Sequence, residues 1–159
     1  MLFRSVNKNP GADLFVSFLG APALTATEQA ELKTSPRLLA ECRAADKLRK
    51  PSTVIIAPKA VAVDLTEAQV IANGEKKTIA GLDLEGVAMY NLKRGPEPGQ
   101  LFHDKGRGNG YILTLGGKRV YLAGDTECTA EMKALKSIDV AFIPMNLPYT
   151  MTPVEAAGC

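Results

Sequence analysis

The chain has 159 residues, enough for one domain with a real core and too few for two ordinary ones. Hydrophobic residues make up 46% and charged residues 23%, a globular balance, and a net charge of +2 is too small to point to nucleic acid. The one basic run, Lys47–Lys50, reads as a solvated helix end. No apolar run approaches the roughly 18 residues of a membrane span, and the N-terminus has no signal-peptide core. The cysteines Cys42, Cys128 and Cys159 show no C-x-x-C spacing. They offer neither a disulfide framework nor a zinc ribbon, so a reduced, cytoplasmic setting is the simplest reading.

Ala12–Phe18 is a short apolar run between Gly11 and Gly20, and it reads as a buried strand. Helical character follows over Thr27–Lys33 and again from Pro36 to Leu48, where Ser35 and Pro36 suit an N-cap and first position. Leu38, Leu39, Cys42, Ala45 and Leu48 share one apolar face there, which favours Cys42 as a core residue over a reactive thiol. Thr53–Ala57 is β-branched and closed by Pro58, a strand. Lys59–Asp64 allows a short helical turn. Asn73-Gly74 suggests a hairpin joining Val70–Ala72 to Lys77–Ile79. Leu82–Asn91 alternates with a shift at Gly86, where a bulge would restore register.

Lys93–Arg107 is rich in glycine and proline, a loop of a length more often functional than not. Gly110–Leu115 and Lys118–Leu122 flank Gly116-Gly117, a strong hairpin signal. Gly124-Asp125-Thr126 turns out of the second strand. Thr129 then offers a cap to a helix reaching Lys136. Asp139–Pro144 reads as another buried strand, and Pro153–Ala157 as the beginning of a helix at which the chain looks cut short. Mixed hairpins and crossovers imply an α/β fold with mixed sheets covered by helices.

The chemistry centres on Asp125. A carboxylate placed straight after a buried strand and beside a glycine can project into a cleft and ligate a divalent cation. It can equally cap the following helix. His103, the only histidine, lies 22 residues upstream at the end of the long loop. A lone histidine is commonly a hydrogen-bonded surface residue, and Asp104 beside it could orient its ring. Cys128 could add a thiolate but suits the core or the helix start, and Asp104 and Glu127 are near in sequence only.

The run from His103 through Gly106, Arg107, Gly108 and Asn109 leads into Gly-Gly-Lys-Arg-Val-Tyr-Leu-Ala-Gly-Asp-Thr-Glu. With Ile138–Pro144 and Tyr149–Pro153, it resembles the metallo-β-lactamase superfamily, in the branch of hydrolases similar to ascorbate-6-phosphate lactonase. The likeness is best over 53–157 and weakest over 18–45, within a single partial domain spanning 1–159. It implies an αββα sandwich of mixed sheets, truncated at both ends, with a zinc or manganese site on one edge. His103 and Asp125 match two of that family's metal ligands, with Asp125 the bridging and catalytic carboxylate. Arg107 and Asn109 would line the mouth for substrate. A metal-activated water would attack an ester, lactone or phosphodiester. Small-molecule substrate is the implied partner, without nucleic acid or membrane.

The family's H-x-H-x-D-H loop should follow the Ala12–Phe18 strand, where this chain reads Ser17-Phe18-Leu19-Gly20-Ala21-Pro22-Ala23. The final histidine ligand would lie beyond Pro153–Ala157, and an N-terminal hairpin opening the first sheet is not apparent. Impaired catalysis is therefore expected. The alternative is an inactive remnant or interaction scaffold that self-associates through uncovered apolar surface. A frame error and a true loss of the loop both fit.

Overall fold

The computed structural model describes residues 3–6, 13–16, 50–62 and 67–159. The helices expected within 27–48, and Cys42 with them, lie outside the described residues. Strands β1 (Phe3–Val6), β2 (Asp13–Val16), β3 (Val54–Ala57) and β4 (Gln69–Val70) form one sheet in that order. β1 and β2 are antiparallel, with Phe3 opposite Val16, so an N-terminal strand pair not apparent in the sequence is present. β2, β3 and β4 run parallel. Helix α1 (Lys59–Ala62) follows β3 after Pro58, as the sequence suggested.

The second sheet takes β5 (Lys76–Ile79), β6 (Leu82–Met89), β7 (Gly108–Leu115), β8 (Lys118–Leu122) and β9 (Val140–Phe142) in sequence order. Its pairs are antiparallel except β8 with β9, which are joined through the short helix α2 (Ala130–Lys133). The β7–β8 connection is the expected Gly116-Gly117 turn, with φ of +57° and +78°. That doubly left-handed pair is what a two-residue turn matching strand twist requires. Helix α3 (Pro153–Ala157) is held by a capping box between Thr152 and Glu155.

Alternation along the second sheet sorts its side chains into two cores. Leu82, Leu84, Tyr111, Leu113 and Leu122 face one way and pack with Ile56 of β3, Ile71 and Ile79. Val87, Ile112, Tyr121 and Ala123 face the other way, against Met132 of α2, Met151 and Ala156 of α3. The second sheet thus lies between the first sheet and a layer of helices. No helix among the described residues is long and apolar enough to cross a membrane.

Three local expectations change. The Asn73-Gly74 turn exists, but it does not close a hairpin, because β4 pairs with β3 while β5 pairs with β6. The turn instead carries the chain from one sheet to the other. β6 has no bulge at Gly86, which sits in continuous register opposite Tyr111. Its alternation fades because both faces of β6 are covered. Glycine is needed at 86 because the crossover segment presses on it: a Cβ there would overlap the Ala72 carbonyl and come within 2.8 Å of Ile71 Cγ2. β9 is not buried. Val140 and Phe142 are each nearly half exposed, since β9 is the sheet's edge and among the described residues only β8 pairs with it.

Candidate metal centre

β6 and β8 flank β7 and end at the same end of the sheet, and the segments leaving them are laced together. Gly124 turns with φ +70°, and a Cβ there would sit 2.5 Å from Met89 Sδ. Glycine is therefore demanded twice, by conformation and by space. Thr126, fully buried, donates its hydroxyl to the Tyr90 carbonyl at 3.0 Å and accepts from the Tyr90 N–H at 3.2 Å. The Glu127 N–H donates to the same carbonyl at 3.0 Å. Thr129, not Asp125, caps α2, accepting from the Met132 N–H at 3.1 Å. Of the two roles open to Asp125, helix capping is thus taken by another residue. Asp125 itself is exposed at the tip of the turn.

His103 reaches the same edge from the long loop. Its ring Nδ1 lies 2.7 Å from Oδ1 of Asn91, and its backbone N–H donates to the same oxygen at 2.9 Å. The Asn91 N–H in turn donates to the His103 carbonyl at 2.9 Å. Burial pushes the imidazole pKa below its ordinary value, against the opposing pull of the Asp125 and Asp104 carboxylates. Asp125 and Asp104 thus lie close enough to His103 for their charge to act on its ring. Nothing local in the sequence singles out Asn91, two residues past the end of β6, because its partners lie far along the chain.

The loop is pinned on both sides. Lys105 forms a 2.6 Å ion pair with Glu131 of α2 and lies 5.0 Å above the Tyr90 ring, whose hydroxyl also donates to Glu131 at 3.0 Å. Phe102 meets Tyr149 edge to face at 5.0 Å. Glu127, sequestered from solvent, accepts from the backbone N–H groups of Leu92 and Lys93 at 2.5 and 2.8 Å and pairs with the Arg94 guanidinium. Burial pushes this carboxyl up, yet the Lys93 and Leu92 amides and Arg94 together bring it below its ordinary value. Glu127 is thus a structural anchor and takes no part in a metal shell.

The remaining expected residues separate. Asn109 is buried in β7 with its amide spent: Nδ2 donates to the Ile71 carbonyl at 2.6 Å, and Oδ1 accepts from Asn73 at 2.6 Å. It ties the crossover to the second sheet and does not line the mouth. Arg107 is half-buried, with its Nε enclosed and without a hydrogen-bond partner among the described residues. Cys128 forms a disulfide with Cys159, with their Cα atoms 5.7 Å apart. The pairing overturns the expectation of no disulfide, because the fold returns α3 to the start of α2 across 31 residues. It also removes a thiolate from the list of metal donors.

One imidazole nitrogen and one free carboxylate suit two positions of a divalent-cation site. A catalytic zinc takes three protein ligands, and no group of three His, Cys, Asp or Glu side chains that could hold a metal occurs among the described residues. Residues 17–23, where the resemblance puts the other histidines, lie outside the described residues and contain no histidine, cysteine or carboxylate. The described residues do not by themselves complete a metal site.

Two mixed sheets, the second covered by helices on its outer face, form an α/β sandwich. A family model described as a beta-lactamase superfamily domain matches residues 24–159, and the chain belongs to that superfamily. It is 43% identical over 58 residues to a UPF0173 metal-dependent hydrolase of Symbiobacterium thermophilum, covering 33% of this chain and 26% of that one. To the corresponding Enterococcus faecalis protein it is 35% identical over 80 residues, 48% of this chain and 30% of the relative. The chain thus spans about a quarter to a third of the length of these curated relatives. The crystal structure of a candidate metal-dependent hydrolase from Parabacteroides distasonis superposes with a TM-score of 0.67 at 35% identity, covering 91% of this chain and 58% of that one. Zn(2+)-bound PqqB from Methylobacterium extorquens, at 13% identity and a TM-score of 0.52 over 86% of this chain and 57% of that one, shares the fold. These likenesses agree with the metallo-β-lactamase type of sandwich expected from the sequence.

Proposed function

We propose that the chain carries half of the metal centre of a metal-dependent hydrolase, with His103 and Asp125 as its two donors. The observation that supports this most directly is the exposed Asp125 on the turn after β8, left unused by α2 because Thr129 caps that helix, with its charge acting on the His103 ring. The superfamily membership and the names of the relatives point the same way. A bound zinc or manganese would supply an activated water for attack on an ester, lactone or phosphodiester. The lactonase-like branch remains part of this reading, as does Arg107 as a contact for substrate. With only these two donors, a cation would be held weakly and turnover would be slow. Elemental analysis for zinc and manganese, with hydrolysis of a model lactone and a model phosphodiester, tests it. Metal binding and hydrolysis that both disappear in Asp125→Ala support it. A chain that takes up no metal at millimolar excess sinks it.

A second reading, a non-catalytic scaffold, is favoured by the apolar side chains at the sheet edge and in the loop beyond it: Val140, Phe142, Met145, Leu147 and Tyr149 are all well exposed. Self-association through this edge is the partner interaction we propose under that reading. Light scattering of the wild type and of Phe142→Lys decides it: assembly lost in the variant favours the scaffold, and a wild-type monomer removes it.

A further inference from the structure

Asn91 sits between three backbone and side-chain groups whose hydrogen-bonding roles are not all free to change. It is 1% exposed, so water cannot substitute for a missing partner. Its Nδ2 is 2.8 Å from the Tyr149 carbonyl, which can only accept. Its Oδ1 is 2.9 Å from the His103 backbone N–H, which can only donate. The two contacts fix the amide orientation from opposite ends: swapping O and N would set donor against donor and acceptor against acceptor. Oδ1 is therefore an acceptor toward its remaining neighbour, the His103 ring nitrogen Nδ1 at 2.7 Å. In the neutral ring that nitrogen must carry the proton, and Nε2 must carry the lone pair.

We infer that Asn91 is a positioning residue that locks the neutral His103 ring in the Nδ1–H tautomer and presents Nε2 as the ring's electron-pair donor. This tautomer is the reverse of the one an unconstrained histidine favours. Asn91 also fixes the backbone on both sides of the ring, through its bonds to the His103 N–H and carbonyl. Its bond to Tyr149 couples the ring to the loop before α3. The significance for metal binding rests on the proposed function, since a cation would be met by Nε2. The tautomer itself does not depend on that reading. Hydrogen-bonded groups behind a histidine set both which nitrogen ligates and how well it does so.

The full chain has a single histidine, so a long-range proton–nitrogen correlation spectrum of the uniformly nitrogen-15-labelled, metal-free, disulfide-bonded protein reports one imidazole without assignment. The expected spectrum has Nδ1 protonated and Nε2 bare in the neutral ring. Asn91→Ala should revert to the Nε2–H form, while Asn91→Asp, which keeps an acceptor oxygen, should retain Nδ1–H. A role confined to packing would leave the tautomer unmoved in the alanine variant. An Nε2–H tautomer in the wild type overturns the inference, even if no variant folds. So does a folded Asn91→Ala that keeps Nδ1–H. Adding zinc separates this inference from the functional one. Nδ1–H with an Nε2 resonance that saturating zinc does not move leaves Asn91 in its positioning role and removes the metal reading alone.

Discussion

The Glu127 carboxylate is buried against the Arg94 guanidinium, and the pair locks the turn after β8 to the start of the long loop. Arg94 also reaches Glu155 of α3 at 2.6 Å, so one cation joins three segments. Glu127→Ala leaves Arg94 with Glu155 but leaves the Leu92 and Lys93 amides without their acceptor, each loss costing about 1–3 kcal/mol, and stability should fall on that scale. Lys93 pairs with Glu155 at 2.8 Å but is 66% exposed, and Lys93→Ala should cost about 0–1 kcal/mol. Urea unfolding of the two variants measures the contrast, and equal losses would refute the anchoring role.

Glu155 gives the fold an acid limit. Lys93, the Thr152 backbone N–H and Arg94 hold its carboxyl at about 2, against an ordinary value of 4.5. The native state therefore binds the proton more weakly than the unfolded chain does. The stabilisation is complete above pH 4.5 and is lost as pH falls toward 2. Thermal melts across that window should show Tm of the wild type falling faster than that of Glu155→Gln, which lacks the titrating group. Parallel curves would show that other carboxyls set the acid limit.

Much of the second sheet was legible because its signals are local. Gly116-Gly117 supplies the turn between the alternating runs of β7 and β8, and Thr129 caps α2 from the residue just before it. His103 and Asp125 could be marked from their motif. The failures are long-range. Nothing near Gly86 reveals that Ala72 presses on it, so a packing glycine resembled a bulge. The Val-Ala-Phe of β9 has the composition of a core strand, and its exposure follows from its place at the sheet edge. Asn109 looked available for substrate because its partners, Ile71 and Asn73, are more than 35 residues away. Asn91 was silent for the same reason, its side chain bonding to residues 12 and 58 positions distant.

Gly86 is the most constrained point of the crossover between the sheets. Its N–H donates to the Glu75 carbonyl at 2.8 Å, and its carbonyl accepts from the Gly74 N–H at 2.7 Å. The crossover therefore cannot back away from an added methyl without breaking these bonds. Gly86→Ala should cost about 1–3 kcal/mol as an overpacked site. Denaturant midpoints check the value. A neutral result would mean that residues 71–75 shift freely.

The disulfide between Cys128 and Cys159 staples the end of α3 to the beginning of α2 across 31 residues. Closing a loop of that length removes unfolded-state entropy worth about 3–4 kcal/mol in the chain-entropy account. Both half-cystines also flank the second core, which includes Met132, Met151 and Ala156. Reduction with a dithiol should therefore lower Tm, and Cys159→Ser should reproduce the shift and no longer respond to reductant. The staple is separate from the His103–Asn91 contact, so the tautomer of His103 should survive reduction in protein that remains folded. A reduced chain as stable as the oxidised one, by calorimetry on matched samples, would show that burial of α3 against Met132 holds that corner without the covalent bond.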